Sequence, residues 1–375
     1  MSDQLTILML VTRRQKRGAE VSAANLSKGL HERGHRIIWA GLYPPKNDVL
    51  ELDGIMNIDL KGGTSFFSIA KWRHLRKIIK EYKVTIIQAN GSDTLKYALA
   101  ARWGFTSCKV IYRNISLVSY WIGASTLRKL FYRWLSQKAD YVVSVGKPSR
   151  EDFIKTYQYP ENKISVIHRG IPVHPLDKKT CRDKIIVEFN LPQDAKILVW
   201  AGALSIEKDP LFALEVFCRV QKRMNPVFLI YAGKGNLDKE LLQEKARLGL
   251  DHIILTGYRE DLPALLAGSD LLILTSRIEG VPGVVLEAGV QQTVSVAINV
   301  GGVGEAIEDG KTGVLISERD ADLFANQVID LLNNSSLLSQ YAEAAFQNVK
   351  DHFHEAVTID AFVELYRRLS LTNKI

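Results

Sequence analysis

The chain has 375 residues, 46% of them hydrophobic and 24% charged, with a formal net charge of +8. That length exceeds what one hydrophobic core usually holds and points to two domains, while the composition excludes disordered and low-complexity classes. Its three cysteines, Cys108, Cys181 and Cys218, are too few and too far apart for a disulfide framework or a paired-cysteine zinc site, and they fit a reducing compartment.

In the first half, strand-like apolar runs fall at Leu5–Val11, Arg36–Gly41, Val84–Ala89, Lys109–Tyr112, Tyr141–Val145 and Ile164–Ile167. Helical periodicity marks residues 19–33, 66–82, 93–103, 127–137 and 149–156 between them. The first run follows an acidic start and lacks a small-residue cleavage site, so it reads as a strand rather than a signal peptide. No run approaches the ~18 apolar residues of a membrane span, and a cytoplasmic location is expected. The alternation pauses at Ile171-Pro172-Val173-His174-Pro175 and the charges Asp177-Lys178-Lys179, which read as a linker.

Strand-like runs resume at Lys196–Ala201, Val227–Ala232, His252–Thr256, Leu271–Thr275, Val294–Ile298 and Gly313–Ile316. Helical patterns cover 209–224, 237–248, 283–291, 320–333 and 336–370. Continuous apolar strands between amphipathic helices imply parallel strands buried on both faces, so the expected fold class is α/β, two doubly wound Rossmann-like domains in tandem. Ligands of such sheets bind beyond the carboxyl ends of the strands, which makes a cleft between the domains the expected site.

Charge divides with the halves. Residues 1–180 hold 30 Lys and Arg against 14 Asp and Glu, whereas residues 181–375 hold 19 against 27. The first half is therefore expected to meet something anionic: phospholipid, a phosphorylated acceptor or nucleic acid.

Several glycine loops follow strands, where phosphates are often held. Gly233-Lys234-Gly235 and Gly301-Gly302-Val303-Gly304 match neither a dinucleotide fingerprint nor a P-loop, and each is equally readable as a plain turn. The segment Ser276–Ala288 is more informative. It follows an apolar strand, turns through Gly280 and begins a helix near Pro282. Amides of Gly283 and Val284 at that helix start form a potential anion site. Glu279 in the loop and Glu287 in the helix can face one cleft.

Leu271–Ile316 resembles the signature region of family 4 glycosyltransferases, retaining enzymes of the two-domain GT-B fold. Glu279 through Glu287 is similar to their E-x7-E motif. Residues 301–313 resemble the GG-x-x-E-x-I-x-D-G-x-T-G stretch. Thr256–Pro263 with Ser269-Asp270 is similar to the base-recognition segment, and Gly202–Pro210 to the loop that opens the second domain. Gly18-Ala19-Glu20 and Leu30–His35 are similar to the family's opening strand, loop and helix. The resemblance implies an acceptor-side domain over 1–172, a donor-binding domain over 173–354, and a C-terminal helix of about 355–375 packing back on the first.

It also implies roles. Lys208 would contact the donor diphosphate, although by itself it reads as a surface lysine beside Glu207 and Asp209. Gly283 and Val284 would hold the same phosphates, Glu287 the ribose hydroxyls, and Glu279 would lie beside the sugar. Gly18, Gly202, Gly233, Tyr258, Arg259 and Gly280 complete the donor side. Ala203 stands where many members have Arg, so that cation is missing or supplied elsewhere, by Arg169 or Arg13. Arg113 or Asn114 would replace a first-domain His facing the sugar, and His168-Arg169-Gly170 and Arg17-Gly18 replace Asn-Gly and Gly-Gly.

Metal-assisted sugar transfer commonly displays an Asp-x-Asp pair on a loop after an early strand. Asp320-Ala321-Asp322 instead opens a late helical pattern, where acidic residues serve as caps, so no metal and no other cofactor is expected. Lys71–Lys80 and Tyr120–Trp134 mix cations with aromatics, which suits either a core-packed helix or contact with an anionic membrane. The expected activity is transfer of a sugar from a nucleoside diphosphate, UDP by family frequency, to a glycan or lipid-linked oligosaccharide. A nucleotide-sugar epimerase and a silent nucleotide-sugar binder are the alternatives. No nucleic-acid motif accompanies the basic half, so nucleic acid is not an expected partner.

Overall fold

The structure, a computed structural model, describes residues 4–45, 49–63, 67–123 and 125–371. Two compact units divide the chain, Met1–Ile171 with His354–Ile375, and Pro172–Phe353.

The first unit is built on seven strands, β1 (Thr6–Arg13), β2 (Arg36–Tyr43), β3 (Met56–Asp59), β4 (Ile86–Asn90), β5 (Lys109–Asn114), β6 (Tyr141–Ser144) and β7 (Ile164–Val166). They pair in parallel in the order β3-β2-β1-β4-β5-β6-β7. Helices α1 (Gly18–Glu32), α2 (Ile69–Tyr82), α3 (Ser92–Arg102), α4 (Val118–Ile122), α5 (Thr126–Ser136) and α6 (Lys147–Tyr157) connect them. Side-chain alternation along β1 explains its unbroken apolar run. Ile7, Met9 and Val11 enter a core with Leu26 and Leu30 of α1, whereas Leu8 and Leu10 enter another with Leu75 and Ile78 of α2.

The C-terminal helix Glu355–Leu371 completes the α1 side. Its Phe362 and Tyr366 are fully buried there, each burial contributing roughly 1.5–3 kcal/mol. The two helices approach so closely at Gly29 that a Cβ would lie 2.1 Å from Ile359 Cδ1.

The second unit carries β8 (Lys196–Ala201), β9 (Val227–Ala232), β10 (Ile253–Gly257), β11 (Leu271–Leu274), β12 (Val294–Ile298) and β13 (Gly313–Ile316), in the parallel order β10-β9-β8-β11-β12-β13. Its helices are α7 (Lys178–Phe189), α8 (Pro210–Gln221), α9 (Asp238–Leu248), α10 (Leu262–Ala267), α11 (Gly283–Val290), α12 (Val303–Ala306), α13 (Ala321–Asn333) and α14 (Ser335–His352). Phe217, Tyr231, Ile273, Val296 and Phe324 belong to its core.

Two doubly wound parallel sheets are thus present, and most strand limits lie within two residues of the expected ones. The differences have physical causes. β3 is four residues long and only partly buried, so it leaves no apolar run to read. The charges after Pro175 start α7 instead of extending a linker, because Asp177 caps it by accepting from Thr180 N at 2.8 Å. The helical pattern over 336–370 is two helices. His354 leaves helical geometry to bridge Ile171, and Glu355 N donates to Ile171 O at 3.1 Å. Residues 372–375 of the expected last helix and residue 66 of the expected 66–82 helix lie outside the described residues.

The two basic, aromatic stretches also part ways. On α2, Lys71, Leu75, Ile78 and Ile79 are buried, and Trp72 Nε1 donates to Ala100 O at 3.0 Å. That helix is an ordinary core helix. On α5, by contrast, residues 126–131 are all exposed and only Leu135 and Ser136 are buried. Among the described residues, no helix is long and apolar enough to cross a membrane.

Candidate active site

In the second sheet the strand order reverses between β8 and β11. Loops leaving neighbouring strands at such a reversal turn to opposite faces and open a crevice at the carboxyl edge. The loop after β8 carries Lys208 and the loop after β11 carries Glu279, and these side chains meet with Lys208 Nζ 2.5 Å from Glu279 Oε1. Glu279 is buried, and Oε1 also accepts from Ser276 Oγ at 2.6 Å. Lys208 remains one-third exposed. A buried carboxylate therefore holds the ammonium of a lysine whose side chain keeps a third of its surface exposed.

The two loops are tied together behind this pair. Arg277 N donates to Glu207 O at 2.8 Å, and Thr275 Oγ1 donates to Asp209 O at 2.9 Å while accepting from Trp200 Nε1 at 2.9 Å. Asp209 is the centre of the lock. It is buried with a left-handed φ of 47°, and it caps α8 by accepting from Phe212 N at 3.2 Å. Its Oδ2 also takes Arg277 Nη2 at 2.7 Å and Arg319 Nη2. Lys208, Arg277 and Arg319 thus surround Asp209 and Glu279, three cations to two carboxylates. Sequence reasoning did not single out Asp209, Arg277 or Arg319. The Asp209-Pro210 pair was a legible helix start, but the arrival of Arg319 from the loop after β13 is a tertiary event.

The glycines explain how the loops after β8 and β9, and those after β11 and β12, fit together at one edge. A Cβ on Gly233 would stand 1.8 Å from Gly202 O, and one on Gly235 would stand 2.1 Å from Leu204 O. One on Gly301, whose φ is 55°, would stand 2.0 Å from Glu279 O, and one on Gly302 would stand 2.1 Å from Gly280 O. These positions are needed for loops to touch backbone to backbone, which a plain turn would not require. Gly202 itself meets only ordinary contacts.

Helix α11 follows Glu279 directly. Pro282 is its N-cap and Gly283 its first helical residue, as the expected 283–291 pattern has it. Gly283 and Val284 supply first-turn amides, which have no acceptor within a helix and point where an anion is favoured. Glu287 lies half-buried one turn further on. At the end of β10, Tyr258 is half-exposed. Arg259 is held by Glu188 at 2.5 Å and Asp261 at 2.7 Å, and these carboxylates push its already high pKa further up. Its guanidinium ties the loop to α7. Asp320 accepts from Asp322 N and Leu323 N at 2.7 and 3.0 Å, so it caps α13.

In the first unit the order reverses between β1 and β4, and the loop leaving β1 leads to Gly18, where a Cβ would meet nothing within 4 Å. Asn114 is buried, with Nδ2 donating to Ser149 O at 3.0 Å and Ser144 Oγ at 3.3 Å. Arg113 points beneath α1, donating to Ser22 Oγ at 2.9 Å and lying over the Phe362 ring. Burial, with the nearby charge of Arg169, lowers its pKa to about 10. Both side chains face the interior of this unit.

Residues 16–174 match the sequence family described as Glycosyltransferase Family 4, and residues 182–348 that described as Glycosyl transferases group 1. The chain belongs to these glycosyltransferases. Its two parallel sheets are those of the GT-B fold. This glycosyltransferase is 26% identical over 309 residues to the Escherichia coli UDP-Gal:alpha-D-GlcNAc-diphosphoundecaprenol alpha-1,3-galactosyltransferase, which covers 78% of this chain and 77% of that one. A crystal structure of Anabaena Alr3699/HepE in complex with UDP and glucose aligns with a TM-score of 0.85 at 20% identity, over 96% and 99% of the two chains. A glycosyltransferase from Rickettsia africae ESF-5 aligns at 0.82 and 20% identity over 100% of both. At such identities the two structures speak to the fold.

Proposed function

We propose that this glycosyltransferase is a retaining, metal-independent hexosyltransferase. It moves a sugar from a nucleoside diphosphate donor, UDP-linked by preference, to a hydroxyl of a glycan or lipid-linked oligosaccharide. The single observation that supports the reading most is the Lys208–Glu279 pair at the β8/β11 reversal, beside the first turn of α11. In this reading the second unit, Pro172–Phe353, binds the donor, and the first, Met1–Ile171 with the C-terminal helix, serves the acceptor. Lys208 exchanges part of its contact with Glu279 for the donor diphosphate, and the amides of Gly283 and Val284 hold the same phosphates. Glu287 accepts from the ribose hydroxyls, Tyr258 flanks the base, and Glu279 stays beside the sugar.

In the reaction the bond from the anomeric carbon to the diphosphate oxygen breaks and one to the acceptor oxygen forms. The products are the glycoside, the nucleoside diphosphate and one proton. Negative charge grows on the departing diphosphate, and Lys208, fixed by the Asp209 lock, is poised to stabilise it. Arg277 is a second cation on the same lock and fits the role left open by Ala203. With these charges and helix amides in place, a divalent ion is not required. The E. coli relative's name specifies a UDP-sugar donor and a diphosphoundecaprenol-linked acceptor, which supports the lipid-linked choice here. Work on such an acceptor would place the protein at the inner face of the cell membrane, in peripheral contact with it.

The test is a transfer assay with labelled UDP-hexoses and extracted lipid-linked saccharides, with and without EDTA. Label is expected in the lipid phase with release of UDP, undiminished by EDTA. Conversion of the donor without acceptor, or donor binding without transfer to any extract, would overturn the reading.

A further inference from the structure

The helix α5 turns its apolar stripe away from the protein. Leu127, Leu130, Phe131 and Trp134 stand at the i, i+3, i+4, i+7 spacing that normally marks a core-facing helix. All four are exposed, Leu127 by 82% and Trp134 by 57%. Tyr120 and Trp121 on the short helix before it are exposed as well. Solvent-exposed apolar stripes of this size mark a contact surface. The half-buried Tyr132 and the buried Leu135 and Ser136 show which side of α5 meets the unit, and the stripe lies on the other.

The charge around the stripe selects the partner. Arg128 and Arg133 flank it on either side by helical geometry, with Lys129 behind. From Val118 to Ala139 the chain has four Lys and Arg, namely Arg128, Lys129, Arg133 and Lys138, and no Asp or Glu. A protein partner for an apolar stripe does not need such one-sided charge, whereas an anionic bilayer rewards it twice, through apolar insertion and through attraction of the flanking cations. We infer that α5, with Tyr120 and Trp121, is the surface by which this protein docks in the interface of an anionic membrane, lying parallel to it with Leu127, Leu130, Phe131 and Trp134 inserted. Among the described residues no helix is long and apolar enough to cross a membrane. The inference rests on the reading above only in supplying the surface at which a lipid-linked acceptor is met.

The experiment is sedimentation of the full chain with vesicles of phosphatidylcholine containing phosphatidylglycerol, against vesicles of phosphatidylcholine alone, without donor or acceptor. The protein is expected to bind the anionic vesicles, and raised salt should weaken the binding. The double variant Leu127→Ser/Leu130→Ser should weaken it about tenfold or more, because it removes the apolar anchor while the exposed positions leave folding intact. Val187→Ser, an exposed apolar residue of the second unit, should leave it unchanged. Failure to bind anionic vesicles, or binding indifferent to the double variant, overturns the inference. So does a dimer in light scattering that the double variant dissociates in the absence of vesicle binding, since the stripe would then serve a second copy. Nucleotide binding by the same preparations is measured in parallel, so that loss of vesicle binding with intact nucleotide binding counts against this surface alone.

Discussion

Lys208 Nζ lies 2.5 Å from Glu279 Oε1, joining the loops that leave β8 and β11 across the reversal of the second sheet. The buried carboxylate holds a lysine whose side chain is one-third exposed and can take another anion. Substitution of Lys208 by Ala is expected to lower kcat about 10²–10³-fold, the cost of losing one preorganised charge at a leaving group. Lys208→Arg should recover only part of this, because a planar fork does not replace a compact ammonium. Steady-state kinetics decides it, and a kcat within threefold of wild type in Lys208→Ala would remove the residue from the chemistry.

Gly301 tests the loop packing. Its φ of 55° and the approach of its missing Cβ to 2.0 Å from Glu279 O leave no room for a side chain. Gly301→Ala should cost about 2–4 kcal/mol in urea unfolding through strain and displaced backbone. At Gly18, where nothing lies within 4 Å, the same change should be neutral or gain about 0.5 kcal/mol. Equal effects at the two positions would mean that the loops do not meet as described.

Asp209 holds Arg277 and Arg319 from a buried, left-handed position. Removing it leaves two cations without their carboxylate and α8 without its cap. Asp209→Ala should destabilise by about 2–4 kcal/mol, and Asp209→Asn, which keeps the cap and tolerates the backbone, by less. Because the lock fixes Lys208, both variants should lose kcat more than their folded fraction explains. A fully active, stable Asp209→Ala would contradict the lock.

Arg113 carries a buried charge whose pKa falls to about 10 through burial and the neighbouring Arg169. A base whose folded pKa is depressed opposes folding while it must stay protonated, so the penalty is full below about pH 10 and fades as the pH rises through that value. Replacing it by Met should therefore leave stability at pH 7 unchanged or raise it by about 1 kcal/mol, as for other buried charges exchanged for apolar volume. The advantage should narrow in titrations carried above pH 10. A large loss at neutral pH would show that the guanidinium's bond to Ser22 outweighs its burial.

Much of this architecture was legible because parallel strands buried on both faces, such as β1 and β8, must be continuous apolar runs. The segment from Ser276 to Glu287 was equally legible, since its turn, proline and glutamates are local. What escaped was non-local or short. β3 has four half-buried residues, and α7 was hidden among charges that also suit a linker. Arg319 reaches Asp209 across 110 positions, which no window of sequence can display. The family resemblance implies that Arg113 or Asn114 takes the place of a His facing the sugar. Strand alternation and the packing of α1 and α6 turn them inward. The stripe on α5 has the same period as a core helix, so only its exposure distinguishes it from α2.

The central claim is that the β8/β11 crevice binds the diphosphate and ribose of a nucleotide sugar. Calorimetric titration with UDP, GDP and ADP, on the wild type and on Glu287→Ala, tests it most directly. We expect one nucleotide, UDP, to bind preferentially and about tenfold or more weakly in the variant, the worth of a hydrogen bond to a charged group. Absence of binding by all three at millimolar concentration, or binding that Glu287→Ala leaves untouched, would contradict it.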